Sequence, residues 1–168
     1  MSGTGSVERV RAALLAAGHA DTITIFPAST RTAAQAAAAV GCTVAQIAKS
    51  IVFRAGARAA LVITSGANRV DPAKAGAALG VALSRADADF VREATGFAIG
   101  GVAPLGFRVG HLSPPLILLD EDLLALDPIW AAAGAPTHVF RTTAAELARI
   151  SGGTVAAVKA ESASESSR

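Results

Sequence analysis

The stretch KSIVFRAGARAALVITS, residues 49–65, sets two apolar runs on either side of a glycine, and its reading decides the fold. Ile51-Val52-Phe53 and Ala59 to Ile63 have strand composition, and Gly56 sits at the bend between them. Residues 49–64 are therefore expected to form a hairpin. Lys49 heads its first strand, where an ammonium is least welcome. Alternate strand residues share a face, so Lys49, Ile51 and Phe53 point one way while Ser50, Val52 and Arg54 point the other. An unpaired buried ammonium costs several kcal/mol. Lys49 therefore either carries its head to water along an apolar stem, or lines a cavity where it holds a carbonyl or carboxylate. Spacing alone leaves both readings open.

Working outward, residues 6–18 place Val7, Val10, Leu14 and Leu15 on one helical stripe that stops at Gly18. ITIF (23–26) reads as a short strand ended by Pro27. Ser29, Thr30 or Thr32 can cap the alanine-rich helix that runs to Val40 and Gly41. TVAQI is a short helical turn feeding the hairpin. Downstream, Asp71-Pro72 starts a helix that closes at Gly80, and residues 87–95 form another that ends at Gly96. PLILLD is a buried strand, DEDLLAL an acidic turn, and IWAAAGAPTHVF a second hairpin bending at 134–136. TTAAELARIS is a capped helix and TVAAV a last strand. Strands come both as hairpins and separated by helices. The expected fold is one α/β domain over residues 5–158 with a mixed sheet flanked by helices, followed by a disordered C-terminal tail, 159–168.

The 168 residues are enough for a sizeable core, and 52% hydrophobic against 17% charged residues excludes a mostly disordered chain. No apolar run reaches the roughly 18–20 residues that span a bilayer. The N-terminus reads as an amphipathic helix, not a secretory signal. A single cysteine, Cys42, fits a reducing cytoplasm and no internal disulfide. A net charge of +2 is too mild to argue for duplex nucleic acid, but it is compatible with a light contact to an RNA end. The chain has three lysines against twelve arginines, which makes Lys49 stand out further.

The segment GFAIGGVAPLGFRVG (96–110) holds Gly100-Gly101 ahead of Pro104. Glycine permits close approach of a ligand and proline stiffens the turn, so such a loop can aim N–H groups at one oxygen. It can equally be a plain connection, and it matches neither a P-loop nor a dinucleotide fingerprint. No GxSxG elbow is present, and His19, His111 and His138 lack metal-ligand spacing. Cys42 reads as a packed thiol, Asp120, Glu121 and Asp122 as a solvated acidic turn, and Asp71 as a helix cap.

In order, QIAKSIVF, ALVITSGANRVDPAKAGAALG, REATGFAIGGVAPLGF, PLILLDEDL and HVFRTTAAELARI resemble the YbaK/ProX aminoacyl-tRNA deacylases, with the IAKS form of the free-standing ProX-like branch. The resemblance implies a mixed, curved sheet and hydrolysis of the ester of a small amino acid mischarged onto tRNA, typically the proline acceptor. It implies no metal and no cofactor. It makes Lys49 the essential lysine and Gly100 to Pro104 the family's GxxxP loop, with Gly100 and Gly101 holding the carbonyl and water. Thr32 and Ser50 are second-line polar groups, Phe26, Ile51 and Phe97 set the pocket size, and Val70-Asp71 pack its wall. The chain has no tyrosine, so any pocket tyrosine of relatives would be replaced here, with Phe26 and Phe97 as the candidates, which bears on amino-acid specificity and not on the fold. Arg31, Arg54, Arg58, Arg69 and Arg108 are candidates for tRNA docking. Weak docking would leave the choice of tRNA to an aminoacyl-tRNA synthetase or an elongation factor. Two other readings are a non-catalytic tRNA-binding module and a hydrolase of small acyl esters.

Overall fold

In the computed structural model, which describes residues 2–26, 32–108 and 112–161, the expected hairpin is the middle of the sheet. Strands β2 (Ile47–Ala55) and β3 (Arg58–Ser65) pair antiparallel, with Lys49 opposite Thr64 and Ala48 opposite Ser65. β3 is buried on both faces, which explains its unbroken apolar run: Leu61 and Ile63 enter one core cluster and Val62 another. Around this pair lie β1 (Ile23–Ile25), β4 (Ser84–Arg85), β5 (Leu116–Asp120), β6 (Ile129–Ala132), β7 (His138–Thr142) and β8 (Thr154–Ala156). The order is β1-β7-β6-β2-β3-β5-β8, with β4 paired to β2 off that path. β2–β6, β3–β5 and β5–β8 are parallel and the other pairs antiparallel, so the sheet is mixed.

One detail of β2 positions the site. Its first residues, Ile47 and Ala48, pair with β6, whereas Phe53 and Arg54 pair with β4. From Lys49 to Val52 the edge opposite β3 pairs with no strand among the described residues. The sheet opens there.

Helices α1 (Ser2–Ala16), α2 (Ala33–Val40), α3 (Pro72–Leu79), α4 (Ala88–Thr95) and α5 (Ala144–Ser151) flank the sheet. Their starts follow local chemistry. Thr32 accepts from the Gln35 amide while the Gln35 side chain accepts from the Thr32 amide, a reciprocal cap. Asp71, Asp87 and Thr143 accept from Ala73, Phe90 and Glu146 in the same way. The main core joins Val10 and Leu14 of α1 to Leu61 and Ile63 of β3, Phe97 and Val102 of the 96–106 loop, and Phe140 of β7. Burying a side chain of this size contributes about 1.5–3 kcal/mol. Val158 is fully buried, and beyond it Lys159 bridges Val70 while the Ala160 amide donates to the Arg69 carbonyl at 2.7 Å. The first residues of the expected tail are thus tied to the start of α3, because a backbone that passes beside a strand end satisfies its polar groups there. Residues 162–168 lie outside the described residues.

Candidate active site

Where β2 leaves β6, a cavity of about 560 Å³ opens. Its lining draws on Ile47 to Ser50 of β2, on Phe26 with Thr32 and Ala33 of α2, and on Ile99, Gly100 and Val102 with Ala135 to Val139. Lys49 lines this cavity, half-buried, and Gly100 belongs to the same lining. Among the described residues its ammonium makes no ion pair and no hydrogen bond. This cation has no counter-charge among the described residues, and a ligand in the cavity can supply one.

The strand beneath Lys49 is held by a buried carboxylate. Asp120, at the end of β5, has 0% exposure; its Oδ2 accepts from Thr64 Oγ1 at 2.7 Å, the Ser65 amide at 3.2 Å and Asn68 Nδ2 at 2.8 Å, and its Oδ1 accepts from the Asp122 amide at 3.0 Å. Ser65 Oγ in turn donates to the Ala45 carbonyl at 2.7 Å. Thr64 and Ser65 are the residues opposite Lys49 and Ala48, so Asp120 anchors the register that sets Lys49. The expected solvated acidic turn is corrected here: Asp120 is interior, and only Glu121 and Asp122 face water. Burial pushes the Asp120 carboxyl up, but the hydrogen bonds from Thr64, Asp122, Asn68 and Ser65 outweigh it and hold the group below the usual carboxylate range. A carboxyl depressed in the folded state stabilises the fold above its unfolded pKa, and that stability is lost as pH falls through the folded value. Asp120→Asn is expected to cost about 2–4 kcal/mol at neutral pH. The deficit should shrink toward zero below the ordinary carboxylate range, as urea unfolding curves at several pH values would report.

The wall opposite Lys49 is built from two loops in close contact. A Cβ on Gly101 would lie 2.7 Å from the Ala135 Cα and 2.9 Å from its carbonyl carbon, so only glycine allows the 96–106 loop to lie on the 133–137 turn. The Gly101 amide donates to the Ala98 carbonyl at 3.0 Å and is already used. That corrects the expectation that Gly101 offers its N–H to a ligand. Gly100 and Val102 line the cavity, and their amides make no hydrogen bond among the described residues. Pro104 is buried behind the loop and does not reach the cavity.

Other expectations divide. Phe26 lines the cavity with 5% exposure, but Phe97 does not: it is fully buried, edge-on to Phe107 at 6.0 Å between ring centroids, and anchors the loop from beneath. Ile51 also lies off the lining, and Val70 and Asp71 serve the Lys159 bridge and the α3 cap. Thr32 reaches the cavity, although its hydroxyl oxygen is engaged in the α2 cap. Ser50 lines the cavity beside Lys49 despite strand alternation, since residues of both faces reach a space that opens at the strand's unpaired edge. Its Oγ is buried with no partner among the described residues.

Sequence reasoning passed over His138, which lies half-buried on the wall with Nδ1 3.0 Å from Thr137 Oγ1. Burial, and then the charge of Arg11, lower its pKa, which favours neutral imidazole. The signal available was its place in the second hairpin, opposite Ile25 and next to the GAP turn. His19 is a core histidine, with ring nitrogens 2.6 Å from the Ala20 carbonyl and 2.9 Å from Thr142 Oγ1. Of the docking arginines, Arg54 lies 4.3 Å over the Phe90 ring and Arg58 donates to the Pro114 carbonyl. Together with Arg69 and Arg108 they form no ion pair among the described residues; Arg31 lies outside those residues, as does His111. No group of three or more His, Cys, Asp or Glu among the described residues could hold a metal ion. No helix among them is long and apolar enough to cross a membrane.

Residues 27–150 match the family described as the aminoacyl-tRNA editing domain. The chain is 30% identical over 147 residues to an uncharacterized protein, YwhH, of Bacillus subtilis (strain 168), covering 87% of this chain and 91% of that one. Among solved structures it is similar to a candidate trans-editing enzyme for prolyl-tRNA synthetase, with 45% identity and a TM-score of 0.85 over 93% of this chain and 98% of the other. A hypothetical protein of known structure aligns with 25% identity and a TM-score of 0.80, over 90% and 99% of the two chains.

Proposed function

The chain belongs to the aminoacyl-tRNA editing domain family, and from that premise we propose that it acts in trans as a deacylase, hydrolysing the ester of a small amino acid mischarged onto tRNA. The observation that carries this reading is a Lys49 ammonium unpartnered among the described residues, in a cavity it shares with Gly100 and Val102, whose amides make no hydrogen bond among those residues either. An aminoacyl ester is already activated, so its hydrolysis needs a placed water and support for the oxyanion more than a strong protein nucleophile. Water adds to the ester carbonyl, and the carbonyl oxygen gains negative charge opposite Lys49 and the loop amides. The carbon–oxygen bond to the ribose then breaks, and the water's proton ends on the ribose oxygen. Free amino acid and uncharged tRNA leave. Lys49 is the catalytic residue in this scheme, Gly100 and Val102 the donors, and Gly101 and Pro104 hold the loop that carries them.

Phe26 and Trp130 line the cavity and give it an apolar surface for a small side chain. An apolar pocket separates neighbours differing by one methylene by only about 1–3 kcal/mol, which is why a separate editing site serves fidelity. The uncompensated arginines suit a shallow, salt-sensitive contact with the tRNA end, with a synthetase or elongation factor choosing the tRNA. The reading also places the protein in the cytoplasm. The similarity to a candidate trans-editing enzyme for prolyl-tRNA synthetase points to proline tRNA as the first substrate to try. The test is a panel of mischarged tRNAs, beginning with alanyl, seryl, cysteinyl and threonyl esters on that tRNA, alongside simple amino-acid esters. Cleavage that needs the tRNA supports the reading; equal cleavage of the simple esters reassigns the protein to small-ester hydrolysis.

A further inference from the structure

α1 ends at Ala16, ahead of the matched segment that begins at residue 27, yet its first turns touch both loops of the cavity wall. The Arg9 guanidinium donates to the Gly96 carbonyl at 2.7 Å through one terminal nitrogen and to the Gly106 carbonyl at 3.3 Å through Nε. These two glycines bracket the loop that presents Gly100 and Val102. Between them, Phe97 lies under the same guanidinium, 5.1 Å from its ring centroid. The backbone of α1 closes in as well. A Cβ on Gly106 would lie 3.3 Å from the Arg9 carbonyl oxygen, and one on Gly134, at the other loop, 2.8 Å from the Ser6 carbonyl oxygen. No carboxylate among the described residues pairs with Arg9, and burial, then the like charge of Arg108, lower its pKa. A half-buried arginine with two carbonyls and a ring as partners is arranged to hold a loop, since only its planar fork can span both oxygens at once.

We propose that Arg9 is a positioning residue that clamps both ends of the 96–106 loop and so fixes the Gly100 and Val102 amides against Lys49. This rests on the deacylase reading for its kinetic consequence and on geometry alone for the clamp. The loop's donors act on charge that develops only in the transition state, so loosening them lowers kcat and leaves KM nearly alone. The test compares the full-length wild type with Arg9→Ala and Arg9→Lys, using the mischarged tRNA that the wild type cleaves best. Thermal midpoints and backbone amide exchange are measured on the same proteins. Arg9→Ala should lower kcat about 10- to 100-fold, the scale of a misplaced catalytic group. It should hold KM within about threefold. Arg9→Lys, reaching one carbonyl, should recover part of the rate. Exchange should quicken at Gly101 and Arg108, whose amides donate to the Ala98 and Thr95 carbonyls in and beside this loop, while Leu61 and Ile63 in β3 keep wild-type rates. Wild-type kcat in Arg9→Ala overturns the positioning role. A general rise in exchange that includes β3 overturns it too, because Arg9 would then be a stabiliser of the whole fold. If the wild type cleaves no mischarged tRNA, the functional reading falls, and loop-confined exchange still decides for or against the clamp.

Discussion

Lys49→Ala is expected to lose about 10²- to 10³-fold or more in kcat/KM on mischarged tRNA, the scale of removing one group that stabilises an oxyanion. Its thermal midpoint should stay within a few degrees of wild type. These two expectations come from the same observation: Lys49 makes no ion pair or hydrogen bond among the described residues, so truncation strands no buried partner, and the cavity already gives the site room. Lys49→Met keeps the apolar stem and should be as inactive as alanine, which separates the charge from the packing. Lys49→Arg should recover little, since a broad guanidinium does not place its charge where a compact ammonium does. Wild-type turnover in Lys49→Ala on the tRNA panel would remove this residue from the chemistry.

Gly101→Val should act through the fold before it acts on the reaction. The first added carbon would stand 2.7 Å from the Ala135 Cα and 3.0 Å from its amide nitrogen, and backbone cannot swing aside as a side-chain tip can. One of the two loops must move, at a cost of about 2–4 kcal/mol if the core around Ala103 and Leu105 is to stay closed. Because Gly100 and Val102 flank the displaced residue, deacylation should fall along with stability. A lower urea midpoint together with reduced kcat is the expected pair. Unchanged stability would mean that the loops are not packed as described.

The sequence carried those parts of this molecule that are local. Asp71 with Pro72 states a helix start within two residues, Thr32 is one of three caps the sequence offers for the alanine-rich helix, and the structure forms both caps. The hairpin at 47–65 is equally self-contained, a turn between two apolar runs. Asp120 shows the limit. Within its own neighbourhood it belongs to an acidic cluster, but its donors Thr64, Ser65 and Asn68 come from 52 to 56 residues earlier, and only the parallel pairing of β3 with β5 brings them together. Phe97 and Phe26 look interchangeable as aromatic candidates for a pocket wall. One turned into the core under Arg9 and the other faced the cavity, a choice made by α1 and α2, not by flanking residues. Ser50 misled for another reason. Alternation does send Ser50 and Lys49 to opposite faces, but β2 has no strand on its other edge there among the described residues, so the cavity takes in residues of both faces.

That α1 plugs the main core has a practical corollary for anyone trimming the gene. A minimal fragment cut to residues 27–150 would keep every cavity-lining residue except Phe26, yet discard Val10 and Leu14, which at 0% exposure cap a greasy floor of Leu61, Phe97 and Phe140. It would also drop β8 and bare one side of β5. Such a fragment should come out of the cell as insoluble material, and the editing chemistry would vanish with every reacting group still encoded.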